Sequence, residues 1–132
     1  MKYLLDTSIC VFLLRNEHDI DKRLLEAGIE NCSISEITVA ELLYGAECSK
    51  QKKKNLQLVK EFCADLEVVK IGPVLEYYAS KKALLRKEGR MIEDFDLLIG
   101  ACAYVNGYTL VTDNLKHFER LEGLKVENWV VR

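Results

Sequence analysis

The sequence predicts an α/β fold: a three-layer α/β/α sandwich with a central, mainly parallel sheet. Two observations lead there. Short apolar runs that read as strands alternate along the chain with segments of helical period, the pattern of a parallel sheet covered on both faces. In addition, the segment "FDLLIGACAYVNGY", residues 95–108, is apolar on every side of a helix and so reads as buried. At 132 residues the whole chain, 1–132, fits one compact domain.

The first strand is "KYLL", ending at Asp6, and "TSICVFLLR" follows as a helix with Thr7 or Ser8 as its natural cap. In "DIDKRLLEAGI" the apolar positions Ile20, Leu24 and Leu25 recur at helical spacing, Gly28 offers a stop, and "NCSIS" supplies a second strand. From Ser35, "EITVAELLYGAE" reads as a helix buried nearly all round, with Val39, Leu42, Leu43 and Ala46 on one stripe and Ile37, Ala40 and Tyr44 opposite. Another helix sets Leu56, Val59, Phe62 and Leu66 on one face and leads to "EVVKI", the third strand. The longest amphipathic helix, "PVLEYYASKKALLRKEG", opens with a proline and closes at Gly89. The buried segment is stopped by Asn106-Gly107; then come "YTLVT" as a fourth strand, "NLKHFERL" as a short helix and "LKVENWVV" as a last strand.

Composition narrows the function. No stretch is apolar and long enough to span a bilayer, and Asp6 interrupts the apolar start too early for a signal peptide, so a cytoplasmic protein with no membrane role is expected. Cys10, Cys32, Cys48, Cys63 and Cys102 form no C-x-x-C pair and read as small hydrophobes rather than a disulfide or zinc framework. His18 and His117 stand without a partner motif and read as surface or structural residues. Net charge is −2, so an anionic substrate would have to be held locally.

Acids fall where open parallel sheets form their sites, at the carboxyl ends of strands. Asp6 follows the first strand, Asp113 follows the fourth, and Asp96 opens the buried helix between the third and fourth strands. Glu41 is the lone charge inside its helix, with no lysine or arginine within a turn. A carboxylate buried unpaired tends to protonate, so Glu41 calls for a cation or a hydrogen-bond partner. Each acid has a structural alternative. Thr38-Val39-Ala40-Glu41 matches a capping box, although Ser35 is an equally good cap. Asp6 and Asp94 could cap helices, Asp96 could answer a helix dipole, and Asp113 could serve a turn. Their joint occurrence at one sheet edge favours a shared site. An all-oxygen cluster selects a hard cation, Mg²⁺ or Mn²⁺, which bridges carboxylate to phosphate. No phosphate-cradling glycine loop competes with that reading. Arg86, Lys87 and Arg90, shortly before Asp96, could grip a phosphate backbone, though for any one of them a solvated helix face is the commoner role of such a charge run.

Four fragments, "LLDTSICVFLLR", "SISEITVAELLYGAE", "IEDFDLLIGACA" and "GYTLVTDNLKHFERLEGLKVENW", resemble in order and spacing the PIN-domain ribonucleases, specifically the VapC toxins of toxin–antitoxin pairs. The resemblance covers essentially the whole chain. It implies a PIN-like fold and a metal-dependent endoribonuclease that cuts structured RNA, commonly transfer or ribosomal RNA, to stop translation. It also implies a homodimer and a VapB-like antitoxin that covers the active site and binds DNA, so that DNA is reached only through the partner. By motif position the family's acids fall on Asp6, Glu41 and Asp96, with Asp94 auxiliary and Thr112 at the family's Ser/Thr place. Many members carry a fourth acid two residues after that threonine; Asn114 stands there, and Asp113 one residue earlier, so either can supply the fourth position. Ser8 and Gly100 replace a common asparagine and alanine without removing a charge.

Two other classes compete. A receiver-type signalling domain wants adjacent acids after its first strand, a phosphoacceptor ending the third and a lysine ending the last; "LLDTS", "EVVKIG" and "ENWVVR" supply none of these. A catalytically inactive PIN-like module that only binds a partner has no need of Asp6, Glu41 and Asp96.

Overall fold

The computed structural model describes residues 1–132. Five short strands, β1 (Tyr3–Leu5), β2 (Cys32–Ser35), β3 (Glu67–Val69), β4 (Thr109–Val111) and β5 (Val126–Glu127), make one sheet in the order β3-β2-β1-β4-β5. Every pairing is parallel, with Tyr3 opposite both Cys32 and Thr109. Helices supply the crossovers: α1 (Thr7–Leu14), α2 (Ile20–Ala27), α3 (Glu36–Glu47), α4 (Lys52–Ala64), α5 (Leu75–Lys87), α6 (Asp94–Asn106) and the short α7 (Leu115–Phe118).

Strand alternation builds the three layers. Leu4 and Leu110 join one apolar cluster with Leu85 of α5, Leu97 and Ile99 of α6, and Phe118. Their neighbours Leu5 and Val111 join the other cluster, with Ile9 of α1, Ile20 of α2 and Val59 of α4. Successive residues of a strand face opposite sides, so each central strand contributes to both cores. Only two residues of the last expected strand pair as β5; beyond them Trp129 turns inward and stacks edge-on to Tyr3, ring centroids 5.1 Å apart.

The strand order reverses direction at β1: one chain of crossovers runs outward through β2 and β3, the other through β4 and β5. Such a switch point leaves a crevice at the carboxyl ends of the two central strands. Asp6 and Thr112 are the residues that immediately follow β1 and β4.

Candidate active site at the switch point

Asp6 is fixed from both sides of the crevice. Its N–H donates to Val111 O at 3.0 Å, tying the ends of β1 and β4. Its Oδ1 accepts from the Ile9 N–H at 3.0 Å and from Ser8 Oγ at 2.8 Å, so Asp6 itself, rather than Thr7 or Ser8, caps α1. The Thr112 hydroxyl lies beside the same carboxylate and favours its charged form. Burial pushes the Asp6 carboxyl above its ordinary value and the charge of Asp96 adds to the rise, against the hydrogen bonds from Thr112, Ile9 and Ser8.

Glu41 comes from the middle of α3. Ser35 caps that helix, accepting from the Thr38 N–H at 3.2 Å, so no capping box forms and Glu41 is an interior helical residue. The helix is less enclosed than its composition suggests. It buries Ile37, Thr38, Leu42 and Ala46, but Ala40 is exposed and Tyr44 is 72% exposed, leaving Glu41 half-buried. Its partner is a hydroxyl: Thr7 Oγ1 donates to Glu41 Oε1 at 2.6 Å. Thr7 has a single proton to give, so the Thr38 hydroxyl, 3.1 Å away, donates to Thr7 in turn. Burial raises the Glu41 carboxyl, as do the charges of Asp96 and Glu93.

Asp96 stands in the first turn of α6. Glu93 is the cap of that helix, accepting from the Asp96 N–H at 3.4 Å. Asp94 neither caps nor faces the other acids: it takes the Tyr78 hydroxyl at 2.8 Å and Lys82 Nζ at 2.7 Å, and these contacts lower its pKa. The helix is anchored by Leu97 and by the buried run Ile99–Ala103, while Phe95, Tyr104 and Val105 remain 43% exposed, so it is not enclosed on every side. Gly100 lets the chain after β4 lie close. A Cβ there would stand 2.6 Å from Leu121 Cδ1 and 3.2 Å from the Phe118 ring, both buried. That close approach carries His117 onto Asp96, with Nδ1 3.3 Å from Oδ2.

Asp113 is drawn elsewhere. Arg132 holds its two oxygens at 2.9 and 2.6 Å and Asn128 adds a bond of 3.1 Å, which together keep its carboxyl below the ordinary value. Asn114 reaches the His117 ring, with Nδ2 and Nδ1 2.7 Å apart. Arg86 and Lys87 end α5 and Arg90 follows it; all three are exposed.

Asp6, Glu41 and Asp96 therefore face one crevice, where the charge of Asp96 raises the proton affinity of both Asp6 and Glu41, and no lysine or arginine is paired with any of them. No three His, Cys, Asp or Glu side chains are drawn together tightly enough to enclose an ion. A hard divalent cation does not require such a cage, because Mg²⁺ keeps several waters and uses one or two carboxylates plus substrate phosphate. The donor set, all carboxylate and hydroxyl oxygen, suits such an ion. Beside Glu41 opens a groove of 270 Å³ between α1, α3 and α4, walled by Val11, Leu14, Leu58 and Val59 and edged by Arg15.

Residues 3–124 match the family model described as the PIN domain. The chain belongs to the PIN-domain family. It groups with the VapC ribonucleases within it. This PIN domain is 37% identical to Ribonuclease VapC2 of Haemophilus influenzae, over 98% of this chain and 99% of that one. It is 32% identical to the tRNA(fMet)-specific endonuclease VapC of Salmonella typhimurium, over 98% of each. It also matches the crystal structure of VapBC2 from Rickettsia felis bound to a DNA fragment from the promoter, with a TM-score of 0.89 and 35% identity over 98% of this chain and 99% of that one.

Two residues at the site of this PIN domain have contacts that no sequence argument assigns. Glu93, read with its neighbours as part of a fragment, caps α6 and adds charge near Glu41. His117, expected to be a lone surface or structural residue, contacts Asp96. No helix is long and apolar enough to cross a membrane.

Proposed function

We propose that this PIN domain is the Mg²⁺-dependent endoribonuclease toxin of a toxin–antitoxin pair, cleaving structured RNA of the transfer or ribosomal kind and so inhibiting translation. The observation that carries the reading is the set of three carboxylates, Asp6, Glu41 and Asp96, facing one crevice at the switch point with no lysine or arginine paired to them. These three would hold the ion, with Mn²⁺ as an alternative. A bound ion supplies an activated water for attack on phosphorus and charge for the leaving oxygen. Thr112 and the Ile9 N–H orient Asp6, and Thr7 orients Glu41. Asp113, bonded to Arg132, and Asp94, bonded to Lys82, have outer roles.

RNA is held by charge. Arg86, Lys87 and Arg90, free to meet solvent at the end of α5, supply a local positive edge on a chain of net charge −2. The partner is a VapB-like antitoxin, which brings DNA to the complex, and the groove beside Glu41 supports its placement. Its apolar walls leave Leu14 38% and Leu58 45% exposed, surface that a protein segment would cover while reaching Glu41. The working assembly is a homodimer in the cytoplasm.

Cleavage of a mixed tRNA and rRNA pool by partner-free protein tests the reading, with Mg²⁺, with chelator, and with Asp96→Asn. Metal-dependent cutting lost in the variant upholds it. A folded protein that neither cuts RNA nor binds metal would be a catalytically inactive partner-binding module instead.

A further inference from the structure

We propose that His117 is a positioning residue for Asp96, donating from Nδ1–H to Oδ2 and fixing the rotation of the carboxylate so that Oδ1 is presented to the ion. The inference rests on the reading of Asp96 as an ion ligand.

The proton placement follows from the ring's neighbours. Nδ1 lies 3.3 Å from Asp96 Oδ2 and 2.7 Å from the Asn114 amide. A neutral imidazole nitrogen carries either a proton or a lone pair. A lone pair aimed at a carboxylate oxygen is repulsive, so the proton belongs on Nδ1; the Asn114 amide, whose nitrogen stands 2.7 Å from Nδ1, then turns over to bring its oxygen to the same N–H. Asn114 is itself held, donating its backbone N–H to Thr112 Oγ1 at 3.0 Å. The Thr112 hydroxyl lies beside Asp6 and lowers its pKa. One six-residue stretch, 112–117, thus runs from Thr112, beside Asp6, through Asn114 to His117 on Asp96.

The stretch is anchored rather than loose. Phe118 is 1% exposed and Leu121 2% exposed, and both press on α6 where Gly100 has no side chain to keep them off. His117, one residue before Phe118, is therefore delivered at a fixed height beside the first turn of α6. Hydrogen bonds to a metal-ligating group from its outer neighbours set its orientation, and their loss typically lowers metal affinity 10–100-fold. This arrangement also accounts for asparagine at position 114: its amide completes the ring's contacts, a role that needs no negative charge.

The test uses the full chain without partner. Nitrogen-15 NMR of the metal-free protein should show the His117 ring as the Nδ1–H tautomer. Mn²⁺ titration, followed by the resonance of the free ion, should show His117→Asn close to wild type, because its amide can place an N–H near the position of Nδ1. His117→Leu should lose affinity on the order of 10–100-fold while its thermal melt stays cooperative. A ring protonated on Nε2 alone, or wild-type affinity in His117→Leu, overturns the inference and leaves the site reading standing. Wild-type protein with no Mn²⁺ affinity overturns both.

Discussion

Thr7 donates its hydroxyl proton to Glu41 across 2.6 Å, joining the first turn of α1 to the middle of α3. The bond gives a half-buried carboxylate its partner and takes the Thr38 hydroxyl as its own donor. Thr7→Val keeps the shape and removes both functions. Losing a hydrogen bond to a charged group while orphaning the Thr38 donor should cost about 1–3 kcal/mol. Urea unfolding should show a lower midpoint with an unchanged slope, and an unmoved midpoint would mean that water replaces Thr7 at no cost.

Asp6 makes stability depend on pH in a direction opposite to that of a salt-bridged aspartate. Burial holds its native pKa above the ordinary value, so the folded state binds this proton more readily than the unfolded chain does. Its contribution to stability therefore falls as pH rises from the unfolded value, about 3.9, through the raised native one. Asp6→Asn keeps an oxygen for the Ile9 N–H and removes the charge. It should melt higher than wild type near neutral pH, with the gap closing on acidification toward about pH 4. Asp6→Ala should gain less, because losing a helix cap costs about 1 kcal/mol. A wild type as stable as Asp6→Asn at neutral pH would contradict the burial cost.

The architecture was legible because its signals are local. Apolar runs such as "KYLL" and "YTLVT" and helices with Gly or Asn-Gly stops determine element order, and alternation of the two dictates a parallel sheet. The expectation that three acids share a site came from position: Asp6 directly follows β1, Asp96 opens the helix leading into β4, and Glu41 is a lone charge in the helix after β2. What escaped were choices between solvent and protein made by tertiary packing. Apolar pattern alone does not reveal that Tyr44 and Val105 face outward, since an exposed apolar side is ordinary. Asp94 meets Lys82 from the preceding helix, and Asp113 meets Arg132 nineteen positions away, pairings that no spacing rule announces. His117 reaches Asp96 over twenty-one positions because Gly100 lets α7 close on α6.

Those pairings separate neighbouring acids by role. Asp94→Asn and Asp113→Asn should leave Mn²⁺ affinity at the wild-type level, since each carboxylate is already engaged by a cation outside the crevice. Asp96→Asn should abolish binding. Loss of affinity in Asp113→Asn equal to that in Asp96→Asn would place Asp113 among the ligands.

The basic edge has its own signature. Replacing Arg86, Lys87 and Arg90 together with alanine should weaken RNA binding and flatten its salt dependence, by about 0.7 in log–log slope for each lost phosphate contact on single-stranded RNA. Metal affinity and the melting temperature should stay put. An unchanged slope would assign RNA contact to another surface.

The central claim is that Asp6, Glu41 and Asp96 hold one divalent-ion site. Its most direct measurement is Mn²⁺ binding to wild type and to Asp6→Asn, Glu41→Gln and Asp96→Asn, each checked for a cooperative melt. Saturable binding by the wild type that each of the three variants weakens or abolishes is the predicted result. Binding that survives in all three, or a well-folded wild type that binds no Mn²⁺, would contradict it.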